Sequence, residues 1–166
     1  MSGGGPTPVH VRPAAPGDVA TICSFIAGLA AYERLADQLE LSAERLHDHL
    51  FGAVPACAAL VAELDGAPIG FALFFASYST FKTRPCLYLE DLFVVPEHRG
   101  RGAGLQLLRA VAQEAVRRGC PRLDWSVLDW NEPAIAFYRD QGAAVLPDWR
   151  VCRLEGDALA AAAQPD

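Results

Sequence analysis

A chain of 166 residues, 52% hydrophobic, fits a single domain and can bury one core without splitting into two, and its formal net charge of -6 argues against a nucleic-acid partner and mildly favours cationic ones. Five cysteines, an odd number without CxxC spacing, point to reduced thiols in a cytoplasmic protein rather than a disulfide frame or a zinc site. His47 and His49 lie two apart on a predicted helix and face different ways, and no apolar run reaches the roughly 18 residues of a membrane span, so neither metal nor membrane is expected.

Met1 to Pro8 is rich in Gly and Pro, lacks the pattern of a signal peptide, and is expected to be disordered. Val9 to Arg12 reads as a first strand, Pro13 to Gly17 as a turn, and Asp18 as the cap of a helix whose apolar positions Val19, Ile22, Phe25, Ile26 and Leu29 run toward Tyr32. Ser42 caps a second helix with Leu46, Leu50 and Phe51 inward, which Gly52 to Pro55 end. Three strands follow, Cys57 to Leu64, Pro68 to Tyr78 and Cys86 to Val95, the first two joined at Asp65-Gly66, a dipeptide that tolerates the positive φ of a tight hairpin turn.

Pro96 closes the third of these strands. Gly100, Gly102 and Gly104 then lead into a long helix with Leu105, Leu108, Val111, Ala112, Ala115 and Val116 on one stripe, stopped by Gly119 and Pro121. Leu123 to Leu128 reads as another strand, Glu132 to Gln141 as a helix ended by Gly142, and Ala143 to Leu154 as a last strand or pair of strands. The Ala-rich end, 156–166, is expected to be a frayed tail.

The strongest chemical signal is the passage from Leu89 to Gly104, a strand feeding a glycine-rich turn that opens a helix. Such a turn presents unpaired backbone N–H groups and the positive end of a helix dipole to an anion, and Arg99 and Arg101 add charge beside it. No Lys-Ser or Lys-Thr follows the last glycine, so the turn is not a P-loop, and the one-residue glycine spacing is not that of a dinucleotide fingerprint.

Arg99-Gly100-Arg101-Gly102-Ala103-Gly104 resembles the R/Q-x-x-G-x-G/A diphosphate loop of the GNAT superfamily of N-acetyltransferases, and Asn131 to Tyr138 resembles the N-x-x-A-x-x-F-Y segment of the same superfamily. A finer resemblance, to the diamine acetyltransferases that include the spermidine/spermine and thialysine enzymes, rests on Leu29-Ala30-Ala31-Tyr32-Glu33, on Tyr88 to Val94 and on Trp130 to Pro133. The resemblance implies one α/β domain over 9–155, with a mixed central sheet of about six to seven strands flanked by about four helices.

It also implies acetyl-CoA as cosubstrate and a small cationic amine as acceptor, with no metal, in a homodimer. An alkyl ammonium has a solution pKa of about 10.4, so it must lose a proton before attacking a thioester. The family position makes Glu90 the carboxylate that holds the amine and relays that proton, on the premise that Glu90 and its neighbour Asp91 face opposite sides of a strand. Tyr138 matches the general acid that protonates the departing thiolate. Leu92, Phe93 and Val94 are implied to pair through their backbones with the pantetheine arm and to supply an oxyanion donor, and Arg99 to Leu105 to hold the diphosphate. Asn131, with Glu132, Pro133 and Ala134 beside it, either bonds the arm or caps the helix that follows.

For the amine, the resemblance points to Tyr32, Glu33, Asp124, Trp125 and Ser126. Between Gly142 and Trp149 the chain is shorter than the polyamine enzymes, so that their acidic contact there is either missing or replaced by Asp148. A peptide or protein N-acetyltransferase, and a coenzyme A-binding module without catalysis, are the alternative readings.

Overall fold

The computed structural model describes residues 8–165. The segment up to Thr7, expected to be disordered, and Asp166 lie outside the described residues. The chain falls into two compact units divided after Ser126.

The first unit is a five-stranded sheet in chain order with two helices before its second strand and one before its last. Strands β1 (His10–Pro13), β2 (Ala58–Leu64), β3 (Ala67–Ser79) and β4 (Arg84–Val94) pair as an antiparallel meander, and β5 (Leu123–Asp124) joins β4 in parallel. The hairpin between β2 and β3 turns at Asp65-Gly66, where φ is 52° and 76°, the left-handed pair that such a turn requires. Arg12 ties the first strand to its surroundings. Its guanidinium binds Asp18 at 2.7 Å and Glu63 at 2.7 Å.

Helix α1 (Val19–Tyr32) buries Val19, Ile22 and Phe25, the last two in one core cluster with Val61, Phe71, Leu73 and Phe93 of the sheet. Asp18 precedes it, but its side chain makes no helix cap. The carboxylate instead accepts from Arg12 and from the Ala15 amide, which fixes the turn rather than the helix. Helix α2 (Ala43–Phe51) is capped by the Ser42 hydroxyl, which accepts from the Arg45 amide, and buries Leu50.

Helix α3 (Ala103–Arg117) buries Ala103, Leu107, Leu108, Val111 and Ala115. Val116, expected on that stripe, is exposed. At 100° per residue it stands about 140° from Val111, whereas Leu107, one turn before Val111, faces inward.

The second unit holds α4 (Glu132–Asp140), capped by Asn131 and burying Ile135 and Tyr138, and α5 (Gly156–Ala162), which buries nothing. Three sequence expectations change here. The strand at Leu123 stops at Asp124 instead of reaching Leu128. The end expected to fray contains α5. Ala143 to Leu154 enters no ladder among the described residues, so the sheet has five strands instead of six or seven. Pro147 removes a backbone donor within that stretch, and Val145, Leu146, Trp149, Val151 and Leu154 are exposed, so no pleated inner face forms.

Candidate active site

The passage from β4 to α3 is built to leave backbone amides without partners. After Val94 the chain makes a single 3₁₀ turn, Pro96–His98, then passes Gly100 and Gly102 at φ 74° and 83°. Gly102 holds the cap position of α3 in left-handed geometry, with no side chain bonded to the helix end. An added Cβ there meets nothing within 4 Å, so it is the backbone angle, not lack of room, that asks for glycine. The first intrahelical bond runs from the Gln106 amide to the Gly102 carbonyl. The amides of Ala103, Gly104 and Leu105 therefore point out of the helix end, where they and the helix dipole suit a phosphate-bearing group.

Replacing Gly102 by valine is expected to cost about 1–2 kcal/mol of stability through the left-handed angle and, if the loop holds a diphosphate as the resemblance implies, to weaken acetyl-CoA binding by roughly 10-fold or more. Thermal unfolding and titration calorimetry read the two effects separately, and unchanged binding would remove the loop from the cofactor site.

Arg99, expected at the diphosphate, is partly committed elsewhere. Its Nε donates to the Val94 carbonyl at 2.9 Å, and its guanidinium lies 4.8 Å from the Tyr32 ring centre and 5.6 Å from that of Phe93. It braces the loop against the end of α1. Arg101 is exposed.

The edge of β4 is open where it faces β5. The shorter strand pairs only with Leu87 and Tyr88, so from Leu89 to Val94 that edge carries no ladder among the described residues. The opposite edge pairs with β3 up to Val94. Successive residues of a strand turn their backbone groups to alternate edges, and the Val94 carbonyl already accepts from Arg99, so only part of the backbone from Leu92 to Val94 is open to an extended guest.

A bulge changes which carboxylates face the site. Leu89 stands opposite Phe74 and Asp91 opposite Leu73, leaving Glu90 as an extra residue in β4. Glu90 and Asp91 therefore both stand against Leu73, and the alternation that would send them to opposite faces is broken between them. The alternation on which the choice between the pair rested is therefore absent, and of the two only Asp91 lines the hollow beside α1. Glu90 is exposed, and Asp91 is half-buried.

Asp91 lines a cavity of about 210 Å³ together with Glu33 and Gln38. Its apolar walls are Ile26, Leu29 and Ala30 of α1, with Leu35 and Leu39 from the turn that follows. Gly28 lets α1 come this close, since a Cβ there would stand 2.9 Å from the Phe93 Cζ. Burial pushes the Asp91 carboxyl up to about 7, with Glu90 and then Glu33 adding to the rise, and burial also raises Glu33. Sequence reasoning chose Glu90 over Asp91 by family position, and nothing in the residue pattern marks the bulge that sets Asp91 beside α1.

Of the remaining sequence candidates in the first unit, Asp124 pairs with Tyr88 in the sheet, and its carboxylate is held by Arg122 at 2.6 Å. Ser126 Oγ lies 2.7 Å from the Tyr88 hydroxyl, and Trp125 is half-buried. In the second unit, Asn131 Oδ1 accepts from the Ala134 amide at 3.3 Å, with Glu132 and Pro133 forming the first turn. Tyr138 is buried beside Phe137, their ring centres 5.2 Å apart, and Asp148 is exposed. Among the described residues no group of three or more His, Cys, Asp or Glu is placed to hold a metal, and no helix is long and apolar enough to cross a membrane.

The profile of the acetyltransferase (GNAT) family matches residues 28–143, spanning the glycine loop and Tyr138. A thialysine N-epsilon-acetyltransferase of Bos taurus is 41% identical over 162 residues, covering 91% of this chain and 95% of its own. A human spermidine/spermine N(1)-acetyltransferase-like protein 1 is 31% identical over 160 residues, which is 90% of this chain and 23% of that protein. Among solved structures, an integron cassette protein from the mobile metagenome of V. cholerae superposes with a TM-score of 0.78 at 27% identity, covering 95% of this chain and 98% of its own. On these matches the chain belongs to the GNAT family of acetyltransferases and is an acetyl-transferring enzyme.

Proposed function

We propose that the enzyme moves the acetyl group of acetyl-CoA to a primary amine of a small cationic molecule: a polyamine, a diamine or a thialysine-like amino acid. The observation that carries this reading is the cavity beside β4. Its apolar walls suit a methylene chain and its two carboxylates suit an ammonium group. The names of the relatives, thialysine and spermidine/spermine acetyltransferases, point the same way.

In this reading the outward amides of Ala103, Gly104 and Leu105, with Arg101 nearby, hold the diphosphate. Leu92, Phe93 and Val94 take the pantetheine arm along the open edge of β4, and one of their amides stabilises the oxyanion. The acetyl thioester supplies an activated carbonyl, which the free amine attacks directly to give a tetrahedral intermediate. Tyr138 gives a proton to the sulfur as the C–S bond breaks, a role supported by its place in the Asn131–Tyr138 motif. Glu90, at the exposed end of the bulge, draws the cation in. Tyr32, Glu33, Asp124, Trp125, Ser126 and Asp148 remain the proposed amine contacts. Asp124 is the weakest of them, since Arg122 already neutralises it.

The five free cysteines support a cytoplasmic setting. A homodimer is supported by the exposed apolar run Val145, Leu146, Trp149, Val151 and Leu154. Trp149→Glu is expected to shift a dimer to monomer in sedimentation velocity. A wild-type monomer at micromolar concentration would remove the dimer from the account.

Steady-state rates of thiol release with spermidine, putrescine, thialysine, lysine and short peptides test the substrate class. A preference for a free cationic amine of at least about 10-fold in kcat/KM supports the reading, and a preference for peptides replaces it with the protein-acetylating alternative.

A further inference from the structure

Two carboxylates stand at the bulge of β4, and only one of them lies inside the cavity. Asp91 shares that cavity with Glu33 and Gln38, whereas Glu90 is exposed at its side. We propose that Asp91 is the group that takes the proton from the substrate's ammonium, with Glu90 serving to attract the cation. The inference rests on the amine-acetylating reading above and names the base within that same site.

The argument begins with geometry. A proton acceptor must reach the nitrogen, and a nitrogen whose carbon chain lies between Ile26, Leu29 and Leu39 meets the carboxylate that lines the same walls. The bulge brings Asp91 to that face beside Glu90, while Phe93 continues the face two residues on. Electrostatics then separates the two acids. Set among apolar walls and faced by Glu90 and Glu33, the Asp91 carboxyl is pushed up to about 7, which suits a base that must be ionised at neutral pH and still accept a proton.

The surrounding groups are few. Glu33 approaches from the end of α1, Glu90 from the same strand, and the turn after α1 contributes only the neutral Gln38. Across the ladder the neighbour is Leu73. Of the cations, Arg34 lies in the chain between the lining residues Glu33 and Leu35, and Arg99 is engaged with the Val94 carbonyl and the Tyr32 ring.

The step balances as follows. The ammonium N–H bond breaks and its proton goes to an Asp91 oxygen, leaving a neutral acid and a free amine. The amine lone pair forms the C–N bond, the C–S bond breaks, and the sulfur receives a proton from Tyr138. The second nitrogen proton restores the phenol, and Asp91 returns its proton to water through the open mouth. One proton is released per acetyl transferred.

The test compares the pH dependence of kcat/KM for the wild type, Asp91→Asn and Glu90→Gln. Wild-type kcat/KM is expected to rise with pH through a break near 7. Asp91→Asn should lose that break together with roughly 100-fold in rate, and Asp91→Glu should regain part of both. Glu90→Gln should keep the break, moved slightly down because one negative neighbour has gone, and raise KM a few-fold. Acetyl-CoA affinity of each variant, by calorimetry, shows that the fold and the loop are intact.

A break that survives in Asp91→Asn, or vanishes in Glu90→Gln, overturns the assignment. Carbon-13 NMR titration of the aspartate carboxyls reads the same group without turnover. A resonance titrating near 7, absent in Asp91→Asn and shifted by added putrescine, supports the proposal even if the acceptor panel has missed the natural amine. A resonance near 4 overturns it whatever the enzyme acetylates. Failure of the wild type on every amine, with the Asp91 resonance as expected, would count against the amine-acetylating reading instead.

Discussion

Replacing Tyr138 by phenylalanine is expected to lower kcat by two to three orders of magnitude while leaving KM for the amine and the affinity for acetyl-CoA within a factor of about three. The change deletes one oxygen from a buried ring on the inner face of α4, next to Ile135 and Phe137, so packing is nearly conserved. On the proposed mechanism, what is lost is the acid that protonates sulfur as the C–S bond breaks, a contribution on the order of 10²- to 10⁴-fold. The loss should fall on kcat because the proton is needed in the transition state and not in the bound ground state. Single-turnover quenched flow checks it. A burst of product at the wild-type rate would mean that the phenol does no chemistry, and a parallel fall in thermal stability would return Tyr138 to the role of a packing residue.

Phe71→Ala is expected to have the largest effect on stability. Phe71 is fully buried at the centre of β3, stacked on Phe25 with ring centres 6.0 Å apart, and it stands opposite Phe93 in the ladder. Its removal leaves a cavity between the sheet and α1, at a cost of about 3–5 kcal/mol. For a chain of this length that is a drop of roughly 10 °C or more in melting temperature. Activity should fall with it at 37 °C and recover on cooling, because Phe93, the residue that spaces α1 from β4, loses its neighbour. A cost under about 1 kcal/mol in urea unfolding would show that the core lies elsewhere.

Much of the first unit is legible in the sequence because its signals are local. Asp65-Gly66 marks its turn through backbone angles that few dipeptides tolerate, Ser42 caps its helix through a short side chain, and Gly102 sits where a left-handed angle is needed. What escapes local reading depends on partners distant in the chain. The bulge at Glu90 exists because of how β4 registers against Leu73 and Phe74, and no residue in β4 announces it. Asp91 acquires its character from α1, some sixty residues earlier, so its raised carboxyl is invisible in the strand alone. Asp18 reads as a cap because its position suits one, and Arg12 draws the carboxylate away. Ala143 to Leu154 has the apolar content of a strand, but it finds no ladder among the described residues and keeps Trp149 and Val151 exposed. Glu33 and Tyr32 are legible only through the family resemblance, since by residue type they are an ordinary helix end. The structure gives them a cavity and a cation to stack against.

The central claim is that acetyl-CoA bound at the glycine loop gives its acetyl group to a small free amine. Mass spectrometry of a reaction of purified protein, acetyl-CoA and the amine panel tests it most directly. The account predicts a singly acetylated small amine formed in step with free coenzyme A, and abolished in Tyr138→Phe. Coenzyme A release without any acetylated small amine, or acetyl groups found only on peptides, would contradict it.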